Sequence, residues 1–365
     1  MSVFQCFKTA RRIAILSLFL SWTAAGCANQ PDRPDRIIFM VADGAGVTHW
    51  TLALFADSGL AVRQFPVAGL VDTRGAGHEV TGSAPGATAY STGRRSFMGA
   101  IGVGADSMPV ETVLEIAASR GMATGLITTT YVVDATPAAF AAHNASRAEL
   151  DDIAAQMGEA GLTVLMGGGR RAFDGSWRPD STDLIAQLRQ RHTYVETGEE
   201  LRALDLDTVT TLVGLFAESG MGVVEERSPS LSAMVQAALT VLDRDADGFF
   251  LLIENEETDT QAHRNVGADT LVAEMLDFDR AIRLALDYHR THPRTLIVVT
   301  ADHETGGGTL TPGEGRTAML QYATGDHTAG FVPLFAIGPA AERFGGLKEN
   351  REIGQLLQEL LRPTQ

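Results

Sequence analysis

An α/β fold on a central, largely parallel sheet is the class that this 365-residue chain predicts. Two observations carry that prediction. Short apolar, β-rich runs alternate with segments of helical period, and the polar residues best suited to binding metal or moving protons stand at the carboxyl ends of those runs. Loops converge at those ends in a parallel sheet, so ligands gather there. A hydrophobic content of 45% supplies a deep core, and the length suits one large domain or two modest ones.

The rhythm starts with a strand from Ile37 to Val41, a helix near Val110 to Ser119, a strand from Ala123 to Thr128, a helical stretch over 147–158 and a strand from Leu162 to Leu165. A less regular stretch follows, from the glycine-rich MGGGRRAFDG to about Ser228, and reads as peripheral elaboration rather than a second domain. The alternation resumes with a helix from Leu231 to Leu242, a strand from Phe249 to Ile253 and a long helix from Thr270 to Tyr288. Strands from Leu296 to Val299 and Val332 to Ile337 complete it. Asp43, Glu254 and the pair Asp302-His303 each follow or close one of these strands.

Residues 1–26 lie outside that rhythm. Lys8, Arg11 and Arg12 precede an apolar run from Ile13 to Leu20 and then small residues, which is the pattern of an export signal. The run is short for a membrane span. Ala24-Ala25-Gly26-Cys27 resembles a bacterial lipobox, with alanine where leucine is usual, so Cys27 is expected to carry a lipid; the alternative is ordinary cleavage and a free periplasmic product. Residues 27–35 read as a tether, and 36–365 as a single domain in the periplasm or cell envelope.

Cys6 and Cys27 are the two cysteines, so removal of the signal leaves no pair for an intramolecular disulfide. Of 29 basic residues three lie in the signal, which leaves 26 against 45 acidic ones and a net charge of −19. So acidic a surface disfavours nucleic acid and anionic lipid as partners. Divalent cations held by carboxylates would neutralise part of it.

The candidate chemistry is spread along the chain. Ser83 stands in VTGSAPGATAYSTG, where a loop enters a helix and proline suits the first turn. It is either a helix cap or a nucleophile whose developing charge the helix amino terminus stabilises. Asp134, Thr136, His143 and Arg147 share VVDATPAAFAAHNASR. Asp134 to Pro137 reads as a capped turn or part of a metal site; Arg147 as a solvated cation or a fork for two phosphate oxygens. His143 reads as a supporting or core histidine rather than a ligand. Asp259 and His263, four apart in FFLLIENEETDTQAH, share a face if helical, as an exposed acid–histidine pair or as ligands with Glu254. Asp302-His303 ends LIVVTADHETGGG, as a turn or as ligands, and His327 lies in GDHTAG. Carboxylates and imidazoles suit zinc, and carboxylates with a hydroxyl suit magnesium.

Taken in this order, these motifs resemble those of the alkaline phosphatase family from about Arg36 to Pro339. The resemblance implies a three-layer sandwich with helices on both sheet faces, hydrolysis of phosphate monoesters, two zinc ions and one magnesium. It implies that Ser83 forms a phosphoserine. Asp43 would bridge one zinc and the magnesium, Asp302 and His303 would complete that zinc, and Asp259, His263 and His327 would hold the other. Thr136 and Glu254 would hold magnesium, with Asp134 direct or through water, and Arg147 would clamp phosphate.

Three departures from better-known members stand out. Gly82 precedes the serine where many relatives carry an aspartate that orients the arginine, which predicts a more mobile Arg147 and faster product release. Thr260 stands where relatives often carry a phosphate-contacting Lys, His or Trp. His303 and His327 are close in sequence, so the accessory crown that builds the family's dimer interface is reduced, and monomer and homodimer both remain open. A phosphodiesterase of the same superfamily and a non-catalytic metal-binding lipoprotein are the competing readings. Arg147 speaks against the first, since its fork needs two free phosphate oxygens, and Ser83 with Arg147 against the second.

Overall fold

The computed structural model describes residues 33–313 and 318–362. β1 (Arg36–Ala42) leads to α1 (Val47–Ala56), and β2 (Val67–Asp72) to α2 (Ser83–Thr92). α3 (Val113–Ser119), closed at its start by a Thr112–Glu115 capping box, precedes β3 (Ala123–Tyr131), α4 (Ala135–Ala141) and α5 (Leu150–Glu159). Next come β4 (Val164–Gly168), α6 (Leu184–Arg191), β5 (Thr193–Val195), α7 (Gly198–Ala203) and β6 (Leu212–Leu215). The second half runs through α8 (Leu231–Leu242), β7 (Phe249–Asn255), α9 (Glu257–His263), α10 (Ala268–Thr291) and β8 (Thr295–Thr300). Four short strands follow: β9 (Glu304–Thr305), β10 (Thr309–Pro312), β11 (Ala318–Gln321) and β12 (His327–Thr328). β13 (Val332–Ile337), β14 (Gly346–Glu349) and α11 (Asn350–Leu361) close the chain.

Ten strands form one sheet in the order β14-β2-β13-β8-β1-β7-β3-β4-β6-β5. Among the described residues, β13 alone in this sheet runs antiparallel to its neighbours. β1 and β7 are buried from end to end, apart from Arg36, and β8 throughout, which explains their unbroken apolar runs: helices cover both faces, so no residue of the strand needs to be polar. In register, Val41 lies beside Glu254 on one side and Thr300 on the other, so the carboxyl ends of β8, β1 and β7 are level.

Every strand read from the sequence is present, one to three residues longer than its apolar run in most cases. The stretch before Ser228 differs from expectation. Rather than peripheral elaboration, it supplies β6 and β5, which extend the sheet beyond β4. Strands of four and three residues leave too short a hydrophobic run to register as a pattern. β2 and the edge strand β14 escaped for a related reason, since Val71 is the one fully buried residue between them. Between His303 and His327 there are just the β10–β11 ribbon and the β9–β12 ladder among the described residues, in keeping with a reduced crown. The signal at 1–26 and residues 27–32 of the tether lie outside the described residues, in which no helix is long and apolar enough to cross a membrane.

α2 is held with unusual tightness, all ten of its residues being buried. Phe39 of β1 meets Tyr90 of α2 edge-on at 5.3 Å and Phe140 of α4 at 6.0 Å. The Tyr90 hydroxyl donates to the Ala301 carbonyl at 2.7 Å, beside Asp302. Gly86 packs so closely on Asp302 that an added Cβ would stand 2.7 Å from its carbonyl oxygen. The helix that carries Ser83 is therefore fixed against the tip of β8.

Candidate active site

Asp43 follows β1 directly, and its N–H donates to Asn255 O at 3.0 Å across the strand tips. Asp302 and His303 follow β8, and Asp302 Oδ1 accepts from Gly44 N–H at 3.2 Å. Asp43, Asp302 and His303 each place one ligand atom within 4.8 Å of the others, and so do Asp259, His303 and His327. Glu254 stands inside β7 and accepts from the Thr128 hydroxyl at 2.5 Å.

Ser83 is the first residue of α2, and Gly82, not Ser83, occupies the cap position. The serine therefore does not cap the helix; its Oγ lies 3.3 Å from His303 Nε2. Gly82 also leaves room for a ring. An added Cβ would stand 3.2 Å from both His327 Cε1 and Met98 Cε.

The three histidines are oriented by one device. His263 Nδ1 lies 2.6 Å from Gly325 O, and His327 Nδ1 2.8 Å from Thr81 O. A carbonyl only accepts, so both Nδ1 atoms carry the proton. His303 Nδ1 lies 3.1 Å from Thr305 Oγ1, whose own proton goes to Asp259 Oδ1 at 2.5 Å, so His303 is protonated on Nδ1 as well. Each Nε2 is thus turned inward, the arrangement in which metal-ligating histidines are usually found.

Asp259 and His263 lie one turn apart on α9, 3.2 Å between Oδ2 and Nε2, and His263 Nε2 is 3.0 Å from His327 Nε2. Two imidazole nitrogens at that distance need a positive species to share. His263, raised to about 9 mainly by its hydrogen bond to Asp259, can supply a proton. Burial lowers His327 to about 4. Burial also works to raise Asp259, but its hydrogen bond with His263 and the nearby His303 hold it below the usual carboxylate range.

A second cluster has no such counter-charge. Asp43 is pushed well above the usual range, first by burial and then by Asp302, Asp259 and Glu254. Glu254 is pushed the same way by burial, against the hydrogen bond from Thr128. Asp43 Oδ1, Asp302 Oδ2 and Thr136 Oγ1 are buried and accept no hydrogen bond. Oxygens left so are costly unless a cation takes them up, so the residues present fit divalent metal.

Asp134 caps α4 through Ala135 N–H at 2.8 Å and also accepts from Arg147 Nη2 at 2.5 Å. The cap expected at Asp134 is present, and the same carboxylate also holds Arg147. Burial works against the Arg147 charge, Asp134 outweighs it, and the guanidinium is held cationic. Asp134 thus supplies the orienting carboxylate that Gly82 does not, so Arg147 is tethered where the sequence predicted it to be freer. α4 stops at Ala141, and Arg147 sits on a loop, its N–H donating to Gly99 O at 2.8 Å.

His143 is placed apart, as read from the sequence. Its ring links Gly102 O at 2.6 Å to Glu115 Oε1 at 3.0 Å. Thr260 spends its hydroxyl on Glu256 Oε1 at 2.5 Å. Sequence reasoning missed Thr128, Thr305 and the carbonyls of Thr81 and Gly325, since a hydroxyl or carbonyl that orients a ligand carries no pattern of its own.

The alkaline phosphatase family profile matches residues 35–321. This chain belongs to the alkaline phosphatase family. Alkaline phosphatase 3 of Bacillus subtilis is 38% identical to it over 240 residues, which is 62% of the chain and 50% of that relative. The chain spans about half the length of this relative and of alkaline phosphatase 4 from the same organism, 50% and 51%. Streptomycin-6-phosphate phosphatase of Streptomyces griseus is 31% identical and matches almost end to end, 94% of the chain and 95% of the relative. Among solved structures, the alkaline phosphatase of the Antarctic bacterium TAB5 superposes with a TM-score of 0.85 at 34% identity, covering 92% of this chain and all of that one. A solved variant of that protein holds magnesium in a site called M3. The alkaline-phosphatase-like α/β fold follows from these matches.

Proposed function

We propose that the chain hydrolyses phosphate monoesters to an alcohol and inorganic phosphate, with Ser83 as nucleophile. The observation that carries the reading is Ser83 Oγ, uncommitted to capping, at the amino terminus of a fixed helix and beside the inward Nε2 of His303. Family membership supports it, as does the full-length similarity to a phosphatase named for a phosphate monoester.

Asp43, Asp302 and His303 suit one zinc, with His303 Nε2 at 3.3 and 3.5 Å from the two carboxylates. Asp259, His263 and His327 suit the second, because His303 reaches Asp259 only through Nδ1 at 4.0 Å while His263 lies beside both other members. Asp43, Thr136 and Glu254 suit magnesium, with Asp134 as an outer partner. Metals bound there would lower the pKa of the serine hydroxyl and of the attacking water and offset phosphate charge.

The chain's own groups do the rest. The fork of Arg147, steered by Asp134, grips two non-bridging oxygens, which a monoester offers more readily than a diester. The dipole of α2 favours negative charge at Ser83. Ser83 Oγ displaces the alcohol from phosphorus; water then displaces Ser83 Oγ and releases phosphate. Export by residues 1–26, with lipid on Cys27, completes the proposal, and the mass of the mature amino terminus tests that part.

The test of the chemistry is turnover of an aryl phosphate at alkaline pH, before and after chelation and restoration with zinc and magnesium. Ser83→Ala is expected to lower kcat by a factor of about 10³ or more with metal content unchanged. No turnover by the fully metallated wild type would refute the reading.

A further inference from the structure

A hollow of about 440 Å³ lies beside the Arg147 clamp, within the range of small-molecule sites. It opens over the carboxyl ends of β3, β4 and β6, the neighbours of the strands whose ends carry the acidic cluster. Its wall nearest the clamp is Tyr131, whose phenol feels Asp134, Arg147 and Glu256, and Ala148, next in sequence to Arg147. Glycines at the end of β4 let the backbone pack closely on Tyr131. At Gly169, with φ of +92°, an added Cβ would stand 2.7 Å from that of Tyr131.

Its chemistry is aromatic. Val133 and Leu150 line it with Tyr131, and Trp177, 53% exposed, lies at its edge. The Arg171 guanidinium lies 4.0 Å over the Trp177 ring and, among the described residues, has no carboxylate within ion-pair distance. Together they form a flat plate at the edge of a hollow with both apolar and charged walls. Glu149, Asp151 and Glu218 on the rim make the hollow unwelcoming to a second phosphate.

We propose that this hollow is a leaving-group subsite, which takes a planar aromatic group of the phosphate monoester against the Trp177–Arg171 plate. The proposal rests on the hydrolytic reading of Ser83. It makes nucleoside monophosphates and aryl phosphates the preferred substrate class over aliphatic phosphates of similar charge.

The experiment compares wild type with Trp177→Ala on adenosine 5′-monophosphate, 1-naphthyl phosphate and glycerol phosphate. The variant is expected to lose roughly 3- to 10-fold in kcat/KM on the two aromatic esters and less than about 2-fold on glycerol phosphate. Equal changes on all three, or none on the aromatic pair, would overturn the subsite while leaving the hydrolytic reading intact. A second readout is independent of turnover. Trp22 lies within residues 1–26, and of the two tryptophans of residues 27–365 Trp50 is buried and Trp177 exposed, so adenosine is expected to quench the fluorescence of that wild-type chain saturably and that of Trp177→Ala not at all. If the wild type hydrolyses no monoester, the Ser83 reading fails, and this quenching still decides the subsite: its absence in the wild type overturns it.

Discussion

Two clusters of buried charge meet at the tip of β7, one on Glu254 and the other on its neighbour Asn255, and only the second is balanced from within. Around Glu254 stand Asp43 and Asp302, with orphaned oxygens and no arginine or lysine bonded to any of the three carboxylates among the described residues. Around Asn255, the fully buried Arg227 donates to Glu274 at 2.9 Å and Asp277 at 2.6 Å. Asn255 Nδ2 donates to the Glu274 carboxylate at 3.2 Å, and Val224 N–H adds a bond at 2.7 Å. The same cost of burying charge is met in two ways: a protein cation makes a clamp between α10 and the loop that joins β6 to α8, whereas its lack makes a place for a metal.

The contrast breaks first, and hardest, on the clamp. Arg227→Met takes the cation from buried Glu274, leaves Asp277 with Arg280 alone, and is expected to cost about 3–5 kcal/mol of stability, read by denaturant unfolding of chelated protein. If the loss were under about 1 kcal/mol, the two clusters would not differ in the way described. Asp302→Asn is expected to act in the opposite sense on the metal-free protein, raising its melting temperature by removing repulsion. The same change should weaken metal binding by more than the ~10–100-fold typical of outer partners. Lower stability of the metal-free variant would count against a repulsive cluster.

Asp134→Asn preserves the helix cap but removes the charge that steers Arg147. KM for an aryl phosphate and the inhibition constant for phosphate should both rise roughly 3- to 10-fold, discounted for the part-exposed guanidinium. Unchanged constants would mean that Arg147 is positioned by its loop alone. The smallest effect sharpens the comparison by pH. His263 sits at about 9 in the metal-free protein, above its ordinary value, so its pairing with Asp259 stabilises that form fully below about 6.5 and is lost as pH rises through about 9. Zinc must displace this proton. Adding zinc at about pH 7.5 is expected to release about one proton from this site, falling toward none above about pH 10, and His263→Gln should abolish the release.

Part of the candidate site was legible because four of its candidate ligands end or follow an apolar run, and a strand buried on both faces has no other reason to end in acid or histidine. Asp43, Glu254, Asp302 and His303 were readable in that way. The Arg227 clamp was not, since its members lie in a loop and on a helix some fifty residues apart and none follows a strand. Nor was the Arg147–Asp134 pair, which depends on α4 stopping at Ala141 and a loop turning back.

The sequence by itself determined the class of fold, the order of its main strands and which side chains stand at their tips, because period and polarity are local properties of a chain. Tertiary structure alone decided that β5 and β6 extend the sheet, that Gly82 makes room for His327 and that Asp134 serves Arg147. It also decided which buried carboxylates have a counter-charge. Those outcomes depend on distances between residues far apart in the chain, and only packing sets them.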